Sequence, residues 1–401
     1  MNSIITSFNY TLEMTLLIGS EKYPIRSSYV KSIIINSDYD KNTMPIIYVG
    51  LSINPELYNK FVLNSSRAFV SFRLFKFNSG SGAGLEKAYI DDKFIYAMTD
   101  NPNYNESMME RSNSVEDGTG DTFMEGHIAL MNLKSINDNK KTFNTIIKNS
   151  NLASIIHNFT SHMTMCIEPF DKNPDISQLI IPPITSLKNL LSYINDNYCF
   201  YKSGYRYFRD FDTTYLLSNS GKSTTNINNT YNTVILSIRD PQEQIGNSNS
   251  IELNREAKAY IININASSTS INVDKLTDKT VNSIIGVDLE GNTEQIVLNI
   301  PSNSESTEKV MLERTQKDNL DYIYNIKNNI ESSSIVLTAS KTEIDSTILS
   351  PNKEYFIRNY DRNSDYDGRY VLSFKKEALM QQNDTFIGNV VFGLRKINED
   401  S

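Results

Sequence analysis

Several residue types that support common functions are scarce in this chain of 401 residues. It has no Trp, three His and two Cys, which are Cys166 and Cys199. Two cysteines cannot form a disulfide framework, and a zinc site would need His partners at matching spacing. We therefore predict no metal centre and two free, partly buried thiols in a protein made in a reducing cytosol.

Long apolar runs and excess positive charge are missing as well. The opening MNSIITSFNYTLEMTLLIG is interrupted by polar residues throughout, and no run approaches the roughly 20 apolar residues that span a bilayer. The formal net charge is −8, whereas a general nucleic-acid binder needs a basic face. We expect a chain that neither inserts in a membrane nor binds DNA specifically.

Catalytic motifs are not recognisable. His157 and His162 are five residues apart, which does not place them on one helix face. Gly80, Gly82 and Gly84 lack the spacing of a phosphate-binding loop, and neither a Gly-x-Ser-x-Gly nor an HExxH motif occurs. The sequence therefore predicts a protein that is not an enzyme and carries no cofactor.

Two groups of carboxylates need a separate interpretation. Asp210 and Asp212 are two residues apart, so on a strand both would point to one face. The segment DRNSDYDGRY offers Asn363, Asp365 and Asp367 as a weak calcium loop. Phe374, however, stands where the bidentate Glu should be. Asp-Gly between strands is also a strong hairpin signal, and we favour a hairpin there.

Strand patterns dominate both ends of the chain. In RAFVSFRLFKF, apolar and polar residues alternate, which is typical of half-buried strands in a small antiparallel barrel or sandwich. A Gly-, Ser- and Asn-rich tract near 78–125 is expected to be a long insertion that holds one strand-like piece, KFIYAMT. Strands recur from NTVILSI to TFIGNVVFGLRKI in the second β region.

In the middle of the chain, apolar residues are spaced as in helices rather than alternating as in strands. KTFNTIIKNSNLASIIHNFTSHM spaces its apolar residues as two short helices or one broken helix would. A further helix carries a one-sided stripe at Ile184, Leu187, Leu190, Leu191 and Ile194, with Thr185 or Ser186 as its cap. CFYKSGYRYF then predicts a strand, a Lys-Ser-Gly turn and a second strand.

The fold class expected from these patterns is mainly β with a smaller α+β part. We predict three regions: 1–140, a first β-barrel with the insertion; 141–235, a helical region with the hairpin; and 236–401, a second β-barrel region. Discontinuous domains are compatible with this division.

The run PPITSLKNLLSYINDNYCFYKSGYRYFRDFDTTYLLS resembles the middle of central hub proteins from phage tails and related contractile injection machines. There, a helix of LxxLLxxLN type leads into a hairpin close to YGFYxxGxxxFxDFDxTYLL. SPNKEYFIRNYDRNSDYDGRYVLSFKK also resembles a segment of their second barrel. Cys199 departs from the pattern, because the family often has a small residue there.

The resemblance implies two small antiparallel barrels of tail-tube type in each chain and a ring of three chains. Such a homotrimer joins a hexameric tail tube to a trimeric distal spike and leaves a channel for the tape-measure protein and DNA. The expected location is the virion tail or baseplate, after synthesis in the host bacterial cytoplasm. The alternative is a β-rich receptor- or glycan-binding tail-tip protein. The predicted interface residues are Tyr201, Tyr205, Tyr207, Phe208, Asp210 and Asp212.

Overall fold

The computed structural model describes much of the chain, with gaps between the described ranges. These ranges are 8–40, 43–64, 67–78, 88–98, 115–116, 122–219, 233–239, 250–254, 258–265, 269–272, 283–287, 293–297, 307–311, 334–340, 348–359, 367–383 and 385–397.

Alternating patterns produce the first eight strands, as β3 illustrates with its regular succession of buried and more exposed residues. A single 3-10 turn at Ser27–Tyr29 and helix α1 at Pro55–Leu63 interrupt them. The strands are β1 (Phe8–Ile18), β2 (Glu21–Ile25), β3 (Val30–Asp38), β4 (Ile46–Ile53), β5 (Ala68–Asn78), β6 (Ala88–Met98), β7 (Val115–Glu116) and β8 (Thr122–Asn132). Residues 93–98 of the piece KFIYAMT, expected inside an insertion, belong to β6.

The middle region mixes short helices and strands. Its elements are α2 (Leu133–Lys140), β9 (Thr142–Asn151), α3 (Leu152–Thr160), β10 (Met165–Ile167), β11 (Asp175–Thr185), α4 (Leu187–Tyr198), β12 (Tyr205–Asp210) and β13 (Thr213–Ser218). None of the helices in the described ranges is both long and apolar enough to cross a membrane.

The second β region follows. Its strands are β14 (Thr233–Arg239), β15 (Ser250–Asn254), β16 (Ala259–Asn265), β17 (Thr269–Asn272), β18 (Ser283–Val287), β19 (Thr293–Val297), β20 (Thr307–Met311), β21 (Ser334–Ser340), β22 (Glu354–Asn359), β23 (Gly368–Gln382) and β24 (Thr385–Lys396). Strand β14 pairs in parallel with both β16 and β22, so this region is mixed rather than wholly antiparallel.

An eight-stranded antiparallel barrel is closed by strands from opposite ends of the chain. Its circular order is β3, β4, β8, β6, β5, β1, β24 and β23. Apolar side chains such as Phe72, Val70 and Leu130 fill its interior. The mainly β fold class is confirmed, and strands β23 and β24 complete the barrel beside β3 and β1.

Strands β23 and β24 are long enough to serve two cores. Leu379 and Phe386 lie in the first core, inside the eight-stranded barrel. Leu372 and Phe392 lie in the second core, to which β14 and β22 also contribute. The β23–β24 register shifts between Leu372 and Phe374, which marks a β-bulge. Because a bulge bends and twists its strand, it lets one hairpin pass from one core to the other.

One predicted helix is wrong: residues 142–151 form strand β9, which pairs with β11 in an antiparallel ribbon. The apolar residues that suggested a helix also fit a strand, since Phe143 and Ile147 are partly buried while Ile146 stays exposed. Thr and Ile are β-branched and favour strands, and the pairing with β11 decides the outcome. Helix α3 begins only at Leu152.

The helix predicted from the one-sided stripe is confirmed as α4. Four residues of the stripe, from Leu187 to Ile194, are buried in the third core, which α3, β11 and α4 form. Ile184 lies before the helix, in β11. The Ser186 side chain accepts a hydrogen bond from the backbone N–H of Asn189 at 3.3 Å. This is the N-terminal cap expected from the sequence.

Candidate functional site

The tyrosine-rich segment forms a hairpin, but not at the predicted turn. Strands β12 and β13 pair antiparallel and are joined at Phe211 and Asp212. Cys199 ends α4 with a positive φ of 49°, and Gly204 has φ of 78°. These two reversals bring residues 200–204 back from the helix in a non-strand path, so the predicted first strand is wrong. The Lys-Ser-Gly turn and the second strand, β12, are present.

Side chains of this segment lie in or pack against the three hydrophobic cores found among the described residues. Tyr201 and Leu216 are buried in the third core, formed by α3, β11 and α4. Phe208 and Leu217 are buried in the second core. Phe211 packs against the first core. We call residues 201–218 the hairpin joint, because they connect the barrel, the middle region and the second β region.

The buried Tyr201 anchors the joint to the middle region. Its ring lies 5.4 Å from that of Phe170 and 5.1 Å from that of Phe200, both in edge-on geometry. Its hydroxyl donates to the backbone carbonyl of Glu168, and its N–H donates to Asn195 Oδ1 at 3.1 Å. Burial raises the pKa of Tyr201, so the phenol remains a neutral donor.

A buried carboxylate holds the far end of the hairpin. Glu168 is 1% exposed. Its Oε2 accepts from the backbone N–H of Ser218 at 2.8 Å, and its Oε1 accepts from the Ser218 hydroxyl at 2.7 Å. The carboxylate therefore satisfies two donors that are shielded from water.

Replacing Glu168 with alanine is expected to lower the free energy of unfolding by about 2–3 kcal/mol, because the Ser218 N–H would lose a charged acceptor while buried. Ser218→Ala is the matched control. It removes only the hydroxyl bond and should cost about 1 kcal/mol. Denaturant unfolding of both variants tests this expectation, and equal costs would contradict the role of the backbone bond.

Buried charge fixes the hairpin to the long strand β23. The Arg206 guanidinium, whose side chain is 3% exposed, donates to the Leu372 carbonyl at 2.9 Å and lies 3.9 Å from Asp40 Oδ1. Arg395 Nε lies 3.6 Å from the other Asp40 oxygen. Burial lowers the pKa of Arg206, and the Asp40 carboxylate partly offsets that effect.

A second polar cluster surrounds Asp210. Tyr39 donates its hydroxyl hydrogen to Asp210 Oδ2 at 3.3 Å. Nearby on β23, Lys375 Nζ lies 3.5 Å from Glu377 Oε1. The Tyr89 hydroxyl donates to the same Glu377 oxygen. Burial raises the pKa of Asp210, Lys375 opposes that rise and Glu377 adds to it.

Arg209 ties the opposite face of β12 to α2. Its guanidinium lies 3.4 Å from Asp138 Oδ2, and its backbone N–H donates to the Thr43 carbonyl at 2.8 Å. Asp138 also binds Lys141 at 2.7 Å and lies 3.4 Å from His162 Nε2. His162 therefore borders a carboxylate–cation cluster.

The predicted interface residues fall into three groups. Tyr201 and Phe208 are fully buried within the chain. Tyr205, Tyr207 and Asp210 are partly buried, and the Tyr205 hydroxyl donates to the Lys188 carbonyl at 3.2 Å. Asp212 is exposed in the turn. Since the strand ends at Asp210, the prediction that Asp210 and Asp212 share one strand face is wrong.

The structure describes only part of the predicted calcium loop. Asn363 and Asp365 lie outside the described residues, as do Gly80, Gly82 and Gly84, while Asp367 is exposed. Strands β22 and β23 on either side pair antiparallel, as the predicted hairpin requires. Within the ranges that the structure describes, no group of three or more His, Cys, Asp or Glu side chains could hold a metal ion.

Sequence reasoning missed the partners of the hairpin, namely Glu168, Arg395, Lys375 and Glu377. One signal was available in the hairpin itself. The period of two along β12 places Arg206, Phe208 and Asp210 on one face, which is the face turned to the second core and the shared strands.

Comparison with known proteins gives one family match. The sequence model of the bacteriophage PBS1 gene 109 protein family matches residues 1–397. No curated protein sequence matches this chain.

Solved structures with a similar fold include two tail proteins. The tail protein from Neisseria meningitidis MC58 is 9% identical with a TM-score of 0.52, and the match covers 96% of this chain and 97% of that one. The 43 kDa tail protein of prophage MuSo2 from Shewanella oneidensis is 9% identical with a TM-score of 0.54, with 96% of each chain covered. The resemblance to tail proteins is thus confirmed at the level of the fold.

A third similar structure is a chain of the Francisella PdpA–VgrG complex. It is 11% identical with a TM-score of 0.50, and the match covers 99% of this chain but 54% of that one. The present fold therefore corresponds to about half of that longer chain.

Proposed function

Because this chain belongs to the family of the bacteriophage PBS1 gene 109 protein, we propose that it is a structural protein of the virion and forms the central hub of a phage tail or baseplate. The observation that carries the proposal is the shared architecture. A fold common to two tail proteins extends over 96% of the present chain.

In the proposed assembly, three copies form a ring. Each copy contributes two β regions, so the ring presents six similar units to a hexameric tail tube and three to a trimeric spike. Strands β23 and β24 support this arrangement, because they belong to both cores and hold the two regions in one orientation. Tyr205, Tyr207 and Asp212, which retain exposed surface, are proposed to contact neighbouring chains.

A channel through this ring would let DNA and the tape-measure protein pass. The net charge of −8 supports passage without adhesion, since like charges repel across short distances. The role is structural rather than catalytic. Arg206 and Arg209 of the hairpin joint pair with Asp40 and Asp138, and Arg206 also donates to a backbone carbonyl, as in structural ion pairs.

Immunogold labelling of intact phage particles tests the location. An antibody against this chain is expected to label the distal end of the tail, at the junction of tube and spike. Labelling of the capsid would contradict the proposal. Labelling of fibre tips together with binding to a glycan array would favour the receptor-binding alternative.

A further inference from the structure

Asp210 is a partly buried acid at the point where the hairpin meets the barrel strands. Among the described residues, its Oδ1 atom has no hydrogen-bond partner, and that atom is shielded from solvent. Its Oδ2 accepts a single bond, from Tyr39 at 3.3 Å, which is long for a bond between a phenol and a carboxylate. An ionised carboxylate at this position is therefore poorly compensated.

Among the described residues, one lysine and one further carboxyl group face Asp210. Lys375 and Glu377 face it from β23, with side chains 6% and 0% exposed. The phenols that face it are Tyr39, which directly follows β3, Tyr89 from β6 and Tyr215 from β13. Burial raises the pKa of all three tyrosines, so they are neutral near pH 7. One lysine thus faces two carboxyl groups, and the cluster carries a net negative charge when both are ionised.

The two carboxyl groups are not equivalent. Glu377 Oε1 lies 3.5 Å from the Lys375 ammonium and also accepts a bond from Tyr89. Among the described residues, Asp210 accepts one hydrogen bond, from the Tyr39 hydroxyl to Oδ2. A proton on Asp210 removes a charge that one long hydrogen bond holds, together with the repulsion from Glu377.

We propose that the hairpin joint is a proton-dependent contact, in which protonated Asp210 holds the hairpin against Tyr39 and β23 and ionised Asp210 loosens it. The step is a proton exchange with solvent: the carboxyl O–H bond forms on uptake and breaks on release, without any other reactant. The proposal concerns a single chain and does not depend on the hub assembly.

The direction of the pH effect follows from linkage. The pKa of Asp210 is raised in the folded chain, so its contribution to stability is fully present below the ordinary aspartate value of about 3.9. That contribution is lost as the pH rises through the folded-state pKa. Each unit by which the pKa is raised corresponds to about a tenfold change in the equilibrium.

The test compares the full-length protein with Asp210→Asn and with the exposed control Asp212→Asn. Hydrogen exchange of the β12 and β13 amides, corrected for intrinsic rates, is measured between about pH 4 and pH 8. In the wild-type chain and the Asp212→Asn control, protection of these amides should fall as the pH rises. In Asp210→Asn, the fall should disappear, whatever the overall stability of that variant.

A second measurement distinguishes the titration of Asp210 from a folding defect of the variant. The carboxyl carbon of Asp210, observed by NMR in aspartate-labelled protein, should titrate above the ordinary aspartate range. Tyr39→Phe should move its midpoint further upward, because it removes a donor to the ionised form. An Asp210 midpoint at or below the ordinary value would overturn the proposal. An undiminished pH slope in Asp210→Asn would do the same.

Discussion

Replacing Phe208 with alanine is expected to lower the free energy of unfolding by about 3–5 kcal/mol, the range for a large aromatic side chain removed from a core. Phe208 is 1% exposed. Its ring lies 4.8 Å from that of Tyr39 and is stacked 5.3 Å from that of Tyr215. The cavity would open where the hairpin meets the second core, so the loss should weaken the connection between the two.

Denaturant unfolding measures this cost, and Phe208→Leu is the matched control. Leucine keeps the site apolar and most of its volume filled, so it should cost less than about 1.5 kcal/mol. A Phe208→Ala cost below about 0.5 kcal/mol, which is typical of surface substitutions, would show that the hairpin is not anchored through this ring.

Gly388→Ala is the second change with a large expected effect. A Cβ at Gly388 would stand 1.7 Å from the Ala378 carbonyl oxygen and 2.9 Å from Leu379 Cα, both backbone atoms of β23. No rotamer change can relieve a clash with backbone, so β23 and β24 would have to separate. Since these strands close the barrel, we expect a loss of about 3 kcal/mol or more.

Gly126→Ala provides the comparison for this substitution. Its Cβ would meet nothing nearer than Tyr58 Cε2 at 3.5 Å, an ordinary contact. Without a clash, alanine restricts the unfolded chain and should change stability by about 0–1 kcal/mol in the favourable direction. Thermal unfolding of the two variants checks the difference. Similar midpoints would mean that β23 and β24 do not approach as closely as the structure places them.

The sequence predicts elements whose information is local. Helix α4 is predictable because an apolar stripe and the cap at Ser186 lie within one short segment. Strand β9 was missed, because Phe143, Ile146 and Ile147 fit both periods and only pairing with β11 decides between them. The closure of the barrel by β23 and β24 depends on contacts between residues more than 300 positions apart, such as Tyr10 with Phe386.

The hairpin joint is likewise predictable only where the information is local. The hairpin attracts notice in the sequence because Tyr201, Tyr205, Tyr207 and Phe208 are clustered, but clustering does not say what they contact. Tyr201 and Phe208 turned out to be buried in two different cores of their own chain. Glu168 and Glu377 carry no local signal, since a buried carboxylate is recognisable only through its partners.

The hairpin joint gives the proposed hub a physical basis within each chain. A ring that transmits load between a tube and a spike needs protomers whose parts keep one relative orientation. Here one short hairpin packs into three cores, and Arg206 bonds to the backbone of a strand that two cores share. The joint therefore resists relative movement of the barrel, the middle region and the second β region.

The mass of the purified protein in solution, determined by light scattering at several concentrations, tests the proposed hub most directly. The protomer is 45.6 kDa, so three copies should give about 137 kDa. We predict that trimer, with a central opening visible in negatively stained images. A stable dimer of about 91 kDa, twice the protomer mass, at every concentration would contradict the trimeric ring.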